Sequence, residues 1–311
     1  MALLLMVLCM GERSIFTNLV RQADGAYSAV YGPYLLQSAL QPIFREHPDG
    51  RLQIAAFKGL IRASAGGTPT SPGEFFQGVP EEERTAVDGL CRSLHILNAG
   101  LIGRRDAALI MSVHSGLYRA PHAMRQEVEW LRLAAHEAGI APERIACEIR
   151  QLPGDDAEAL ALFADRLHEA GFSIAIDEYT GDDRDLARLE RLKPQFVAFD
   201  TSWLHEFAEN SAGLALLRVM ISQFADRNIE VIVGGIETPE TMALCREMGD
   251  PLMQGFLLAR PELAPTHFNT TFPDIGEERP AADQPAAISD AVMPVENRIA
   301  RPVRHFGRRG V

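Results

Sequence analysis

Six short apolar runs in this chain end on a residue that matters chemically. His114 follows ALIMSV, Glu148 follows RIAC and Asp177 follows SIAI. Asp200 follows FVAF, Gly234 follows VIV and Gln254 follows PLM. The chemistry on offer is that of carboxylates and an imidazole, with a glycine and an amide beside them. In a (β/α) barrel the carboxyl end of each strand carries the reacting groups, because the strand fixes a side chain that the next loop surrounds. The set is partial. About half of the reactive side chains expected on such a face are missing.

The elements that must position these residues alternate in the required way. Pro121–Ala138 reads as a helix with proline at its start and Gly139 at its end. Residues 155–170 carry acids in the first turn and stop at Gly171. Residues 214–225 form a nearly continuous apolar helix, expected to be well buried. Thr238 caps a helix over 238–248, with Pro239 at its first position and Gly249 after it. Strands alternating with such helices argue for a parallel sheet wrapped by helices. Ahead of them, Leu40–Phe44 and Leu52–Ile61 read as two strands joined by EHPDG, a hairpin and therefore an antiparallel pair. Residues 81–99 are helical. The apolar stripe Ile15, Leu19, Val20, Ala26, Val30 and Leu35 predicts a helix over 11–37.

The predicted domains are a helical segment at 1–37, a barrel at 38–268 and a disordered tail at 269–311. The tail is rich in proline, alanine and charge, with five arginines in its last 14 residues and no periodicity. The chain has 311 residues, 47% hydrophobic, enough for one core of about 250 residues. A net charge of −12 excludes a general grip on polymeric nucleic acid. The apolar start, MALLLMVLCM, is too short to span a bilayer and is expected to pack on the domain or a partner chain. Cys9, Cys91, Cys147 and Cys245 have no C-x-x-C spacing, which suits reduced thiols in a cytoplasmic protein.

Nine stretches in order carry a resemblance: LQPIF at 40–44, FKGLIR at 57–62, SPGEFF at 71–76, SVHSG at 112–116, CEIRQ at 147–151, IDEYTG at 176–181, VAFD at 197–200, GGIET at 234–238 and MQGFLLARP at 253–261. Together they resemble the EAL domain family over about residues 38–265. The resemblance implies an α/β fold, a modified TIM (β/α)₈ barrel with an antiparallel first strand. It implies hydrolysis of the bacterial messenger cyclic di-GMP, with Mg²⁺ or Mn²⁺ held by oxygen ligands.

Carried over residue by residue, the resemblance leaves gaps. A metal-binding glutamate falls on Lys58, whose ammonium repels a cation. A metal-binding asparagine falls on His114. The next ligand is kept as Glu148. The glutamate that steadies a nearby loop falls on Gln151. Paired aspartates become Asp177 and Glu178. A catalytic lysine falls on Ala198, and the glutamate taken as general base falls on Gly234. Gln41, Leu60, Arg62, Asp200, Glu237 and Gln254 match positions that line or support the nucleotide pocket. These gaps predict an inactive module, not an enzyme, without a metal cofactor and acting through a protein partner or self-association. Cyclic di-GMP remains a candidate ligand. The alternatives are a metal-independent cyclic di-GMP receptor and a divergent cyclic di-GMP phosphodiesterase. Lys58 is expected to stand in salt-bridge range of Glu148 or Asp177. Any dimer is expected to avoid the acidic 178–183 loop.

Overall fold

The computed structural model describes residues 18–113, 121–149, 156–208 and 210–274. The chain enters as a three-strand antiparallel meander: β1 (Leu19–Arg21), β2 (Tyr27–Tyr31) and β3 (Tyr34–Glu46). The predicted helix over 11–37 is therefore corrected for its described part. The buried face of the meander is instead set by alternation, with Leu19, Ala29 and Leu36 turned to one side, while Val20, Val30 and Leu35 of the stripe are exposed. The missed signals are turn glycines. Gly25 and Gly32 take φ of 88° and 54°, and each closes a turn that a helix could not contain.

From β3 the chain returns along β4 (Leu52–Ala65), then the short β5 (Thr68–Thr70). Helices α1 (Pro72–Gly78) and α2 (Glu81–Ile102) follow. Ser71 caps α1 with a full capping box to Glu74. One face of this N-terminal sheet packs on both helices through Leu36, Ile61, Phe75, Leu90 and Leu94.

The alternating part then begins. It runs β6 (Ala108–Val113), α3 (Pro121–Ala138), β7 (Ile145–Ile149), α4 (Ala157–Glu169), β8 (Ser173–Tyr179) and α5 (Asp183–Leu192). It continues with β9 (Phe196–Phe199), α6 (Thr201–Ala208), α7 (Ser211–Asp226), β10 (Glu230–Val233), α8 (Pro239–Met248) and β11 (Leu252–Met253). The chain ends its described course with β12 (Glu262–Leu263), paired to β3, and α9 (Phe268–Thr271).

Eight strands close a barrel in the order β3-β11-β10-β9-β8-β7-β6-β4, with β4 bonded back to β3. All neighbours are parallel except those of β3, which runs against both β4 and β11. This is the modified TIM barrel with an antiparallel first strand. Ile43, Ala56, Ile110, Ala146, Ala175, Ile232 and Leu252 fill its interior. A larger apolar layer lies between barrel and helices.

Helix α7 departs from expectation. Only Leu217, Ile221 and Phe224 are buried, while Leu216 and Val219 are about half exposed. It is a one-sided surface helix. Residues 268–274, assigned in the sequence to barrel end and tail, are packed. The buried Arg104 guanidinium holds the carbonyls of Phe268 and Phe272 and the side chains of Asn269 and Asp274, and Phe272 stacks against Phe44. The rest of the tail, with the apolar start, lies outside the described residues.

Candidate functional site

The carboxyl ends of the parallel strands open at one mouth, and one ion pair dominates it. Lys58 on β4 places Nζ 2.7 Å from Glu148 Oε1 on β7 and 3.7 Å from Asp177 Oδ2 on β8. This is the salt bridge expected from the sequence. Lysine at that end of β4 projects into the mouth because Ala56, two residues earlier, points into the barrel interior. The second oxygen of Glu148 accepts a hydrogen bond from Ser112 Oγ at 2.6 Å. Both carboxylate oxygens are thus engaged, which satisfies a group only 6% exposed.

Ser112 is a site residue that sequence reasoning missed. It lies one pleat before His114 and faces the mouth by strand alternation, a signal readable from the run ALIMSV. A second layer backs it. The buried Arg92 of α2 donates to the Ser112 carbonyl at 3.4 Å and is itself paired with Asp88 and Glu127.

Strand β8 ends in an irregularity. Its register with β9 shifts between Ile176 and Tyr179, and Glu178 takes a φ of 55°, unusual for a side chain of that size. Asp177 Oδ1 accepts the Glu178 amide at 3.0 Å. The loop that follows hangs on Asp185, also missed in the sequence. Its Oδ2 accepts from the Thr180 amide, the Thr180 hydroxyl and the Gly181 amide at 2.7, 3.1 and 3.2 Å. Its Oδ1 pairs with Arg188 at 2.9 Å, and Arg188 donates to the Ile149 carbonyl at 3.0 Å. One buried carboxylate therefore ties the β8 loop to the end of β7, next to Glu148.

The opposite side of the mouth is barer. Ala198 lines the barrel wall, and Gly234 has no atom within 3.9 Å of where a Cβ would stand. Asp200 accepts the Trp203 amide at 2.8 Å and so caps α6. Gln254 donates to Gln41 Oε1 at 3.1 Å, and Gln41 donates to the Ala259 carbonyl at 3.4 Å. These amides close the barrel across β11 and β3. Arg62 and Leu60 lie further out on β4, half-buried, and Arg62 Nη1 donates to the neighbouring Ile61 carbonyl. Glu237 is exposed on the loop before α8. His114 and Gln151 lie outside the described residues.

Two other titratable groups near the mouth are inert. Burial pushes the Cys147 thiol up to about 12, so it is no nucleophile at neutral pH. His95 packs behind β4, accepts or donates at Nδ1 to Ser38 Oγ at 2.7 Å, and is held down to about 3 by burial and by Arg92.

Residues 116–261 match the family model of the EAL domain. Over that stretch the chain is similar to EAL domains. Cyclic di-GMP phosphodiesterase NbdA of Pseudomonas aeruginosa is 28% identical over 139 residues, 43% of this chain and 17% of that protein. Probable cyclic di-GMP phosphodiesterase PdeA of Escherichia coli is 26% identical over 124 residues, 40% of this chain and 17% of that protein. The matched part is thus about a sixth of the length of these relatives. Among solved structures, a manganese and cyclic di-GMP complex of Klebsiella pneumoniae BlrP1 is 26% identical with a TM-score of 0.62, covering 79% of this chain and 59% of that one.

These findings correct three expectations. The reading as an inactive module acting by protein contact fails, because the relatives are named phosphodiesterases. The reading as no enzyme fails with it. Lys58, Ala198 and Gly234 stand at the mouth, and Glu148, Asp177 and Glu178 place carboxylates at adjacent strand ends. The expectation of no metal cofactor is corrected, since this structural neighbour is a manganese and cyclic di-GMP complex.

What this chain's own residues offer a cation is a separate matter. An ammonium stands between Glu148 and Asp177, and both Glu148 oxygens are engaged. Among the described residues no group of three or more His, Cys, Asp or Glu side chains could hold a metal ion. As they stand, the residues do not fit one. Among the described residues, a cation at Glu148 would have to displace Lys58.

Proposed function

We propose that this EAL domain is a divergent cyclic di-GMP phosphodiesterase. The observation that carries the reading is the Lys58–Glu148–Asp177 cluster at the mouth of a barrel whose relatives are named for that activity. Lys58 faces the place where a phosphate would approach, and its positive charge suits a non-bridging phosphate oxygen. Glu148 and Asp177 hold it there. Glu178, exposed at the strand end beside Asp177, is the carboxylate assigned to take a proton from an attacking water. Arg62 offers a guanidinium fork to a second phosphate.

Hydrolysis assays with Mn²⁺ and with EDTA, run in parallel, test this. Linear dinucleotide is expected above the buffer blank with Mn²⁺. Absence of product in both arms would overturn the reading. Product that vanishes in EDTA would show that a cation does displace Lys58.

A cytoplasmic location belongs to the same proposal. Cys91, Cys147 and Cys245 are free and buried, and no described helix is long and apolar enough to cross a membrane. Self-association belongs to it too, supported by the half-exposed Leu216 and Val219 on α7. Light scattering that gives a monomer at all concentrations would remove it.

A further inference from the structure

Outside the mouth, α4 and α5 line an open pocket of about 110 Å³. Arg184, Arg188 and Arg191 line it from α5, at the spacing that puts successive turns on one side. Ala157, Leu160 and Leu192 form apolar floor, and no carboxylate is among the lining residues. The volume is several times the ~15 Å³ that a single water needs. Three guanidiniums around a partly apolar hollow are arranged to receive an anion, and guanidinium forks match tetrahedral oxyanions well.

Nearby carboxylates offset only part of this charge. Asp182 pairs with Arg184 and Asp185 pairs with Arg188, both from positions beside the cavity. Arg191 has no acidic partner among the described residues. Arg188 Nε is buried without a hydrogen-bond partner, while Nη1 and Nη2 each donate one hydrogen bond. A buried donor left open in a cavity wall is costly unless a ligand or water meets it.

Arg188 also connects the cavity to the mouth. Its Nη2 holds the Ile149 carbonyl beside Glu148, and its Nη1 holds Asp185, which in turn carries the Thr180 and Gly181 amides. We propose that the α4–α5 cavity is a regulatory site for a phosphoryl-bearing anion. Its occupancy fixes Arg188 and thereby stiffens the β8 loop that presents Asp177 and Glu178. The site is separate from the mouth, so it stands or falls independently of what the mouth hydrolyses.

Inorganic phosphate is the probe, with sodium chloride holding ionic strength constant. Calorimetry on the full chain is expected to show saturable binding, weakened roughly tenfold in R184A/R191A. Both side chains are exposed, so that variant is expected to fold, and its melting temperature verifies it. Amide exchange at Thr180 and Gly181 is expected to slow roughly threefold with phosphate in the wild type and to be unchanged in the variant. A non-saturable isotherm, or equal affinity in both proteins, overturns the site. Binding that leaves exchange at Thr180 and Gly181 unchanged overturns the regulatory role.

Discussion

The mouth of the barrel has two unlike sides. On the side of β4, β6, β7 and β8 every reactive group has a partner. Lys58, Ser112, Glu148 and Asp177 form one connected network, and buried Arg92 backs it from α2. On the side of β9, β10 and β11 the wall is Ala198 and Gly234, and the polar residues left, Asp200, Gln254 and Gln41, serve the scaffold. The difference is one of electrostatics. On the first side a lysine is held by carboxylates from two neighbouring strands. On the second the wall carries no charged side chain at Ala198 or Gly234, and Gly234 has space for a Cβ.

Removing Glu148 should have the largest effect. Glu148→Ala takes from Lys58 its partner at 2.7 Å and from the Ser112 hydroxyl its acceptor. Breaking a buried ion pair by removing one partner costs roughly 3–5 kcal/mol, so a large drop in the denaturation midpoint is expected. Turnover of cyclic di-GMP should fall to the blank. A variant as stable and active as the wild type would mean that the network is incidental, and the contrast between the two sides would collapse.

The bare side is tested by refilling it. Gly234 does not require a positive φ, and the nearest atom to an added Cβ is Thr201 Oγ1 at 3.9 Å. Its neighbour Gly235 has a φ of 71° and Thr201 Cγ2 2.9 Å from an added Cβ, so it would not accept a side chain. Gly234→Glu is therefore expected to fold and to raise turnover by roughly 10²-fold, the lower end of general-base assistance. An unchanged rate in a folded variant would show that the limit lies on the charged side.

A smaller effect separates the loop from the network. Asp185→Asn keeps the size of the side chain and removes the charge that pairs with Arg188. A loss of about 1–3 kcal/mol is expected, with faster amide exchange at Thr180 and Gly181 and little change at Leu189 in the helix behind. Equal acceleration along the whole of α5 would place Asp185 in the helix rather than in the loop.

Much of this was legible in the sequence because it rests on local rules. Thr238 accepts from the Thr241 amide ahead of α8, as its place before Pro239 predicts. The hairpin of β3 and β4 follows from Pro-Asp-Gly, and the order of strands from alternation. The N-terminal meander was misread because the helical spacing of Val20, Val30 and Leu35 is coincidental: these side chains are exposed on the strands, and Gly25 and Gly32 mark the turns. Ser112 and Asp185 were missed for another reason. A serine in a strand and an aspartate in a helix's first turn carry no signal of their own. Their roles come from Glu148 and from the Thr180 amide, contacts that tertiary structure alone creates.

The charged side has one further property that pH can expose. Lys58 precedes Gly59, and an added Cβ at Gly59 would lie 2.8 Å from His95 Cγ, so the imidazole packs directly behind that strand. His95 is kept neutral, its pKa lowered from 6.5 to about 3 by burial first and then by Arg92 and Arg62. The folded state thus binds fewer protons than the unfolded state between these values. Stability from this group is full above about 6.5 and falls as pH drops towards 3. The slope from one proton cannot exceed about 1.4 kcal/mol per pH unit. Denaturation at a series of pH values should show that slope in the wild type and lose it in His95→Asn, whose amide can still bond to Ser38. A slope equal in both proteins would assign the acid sensitivity to other groups and leave the two sides of the mouth equally indifferent to pH.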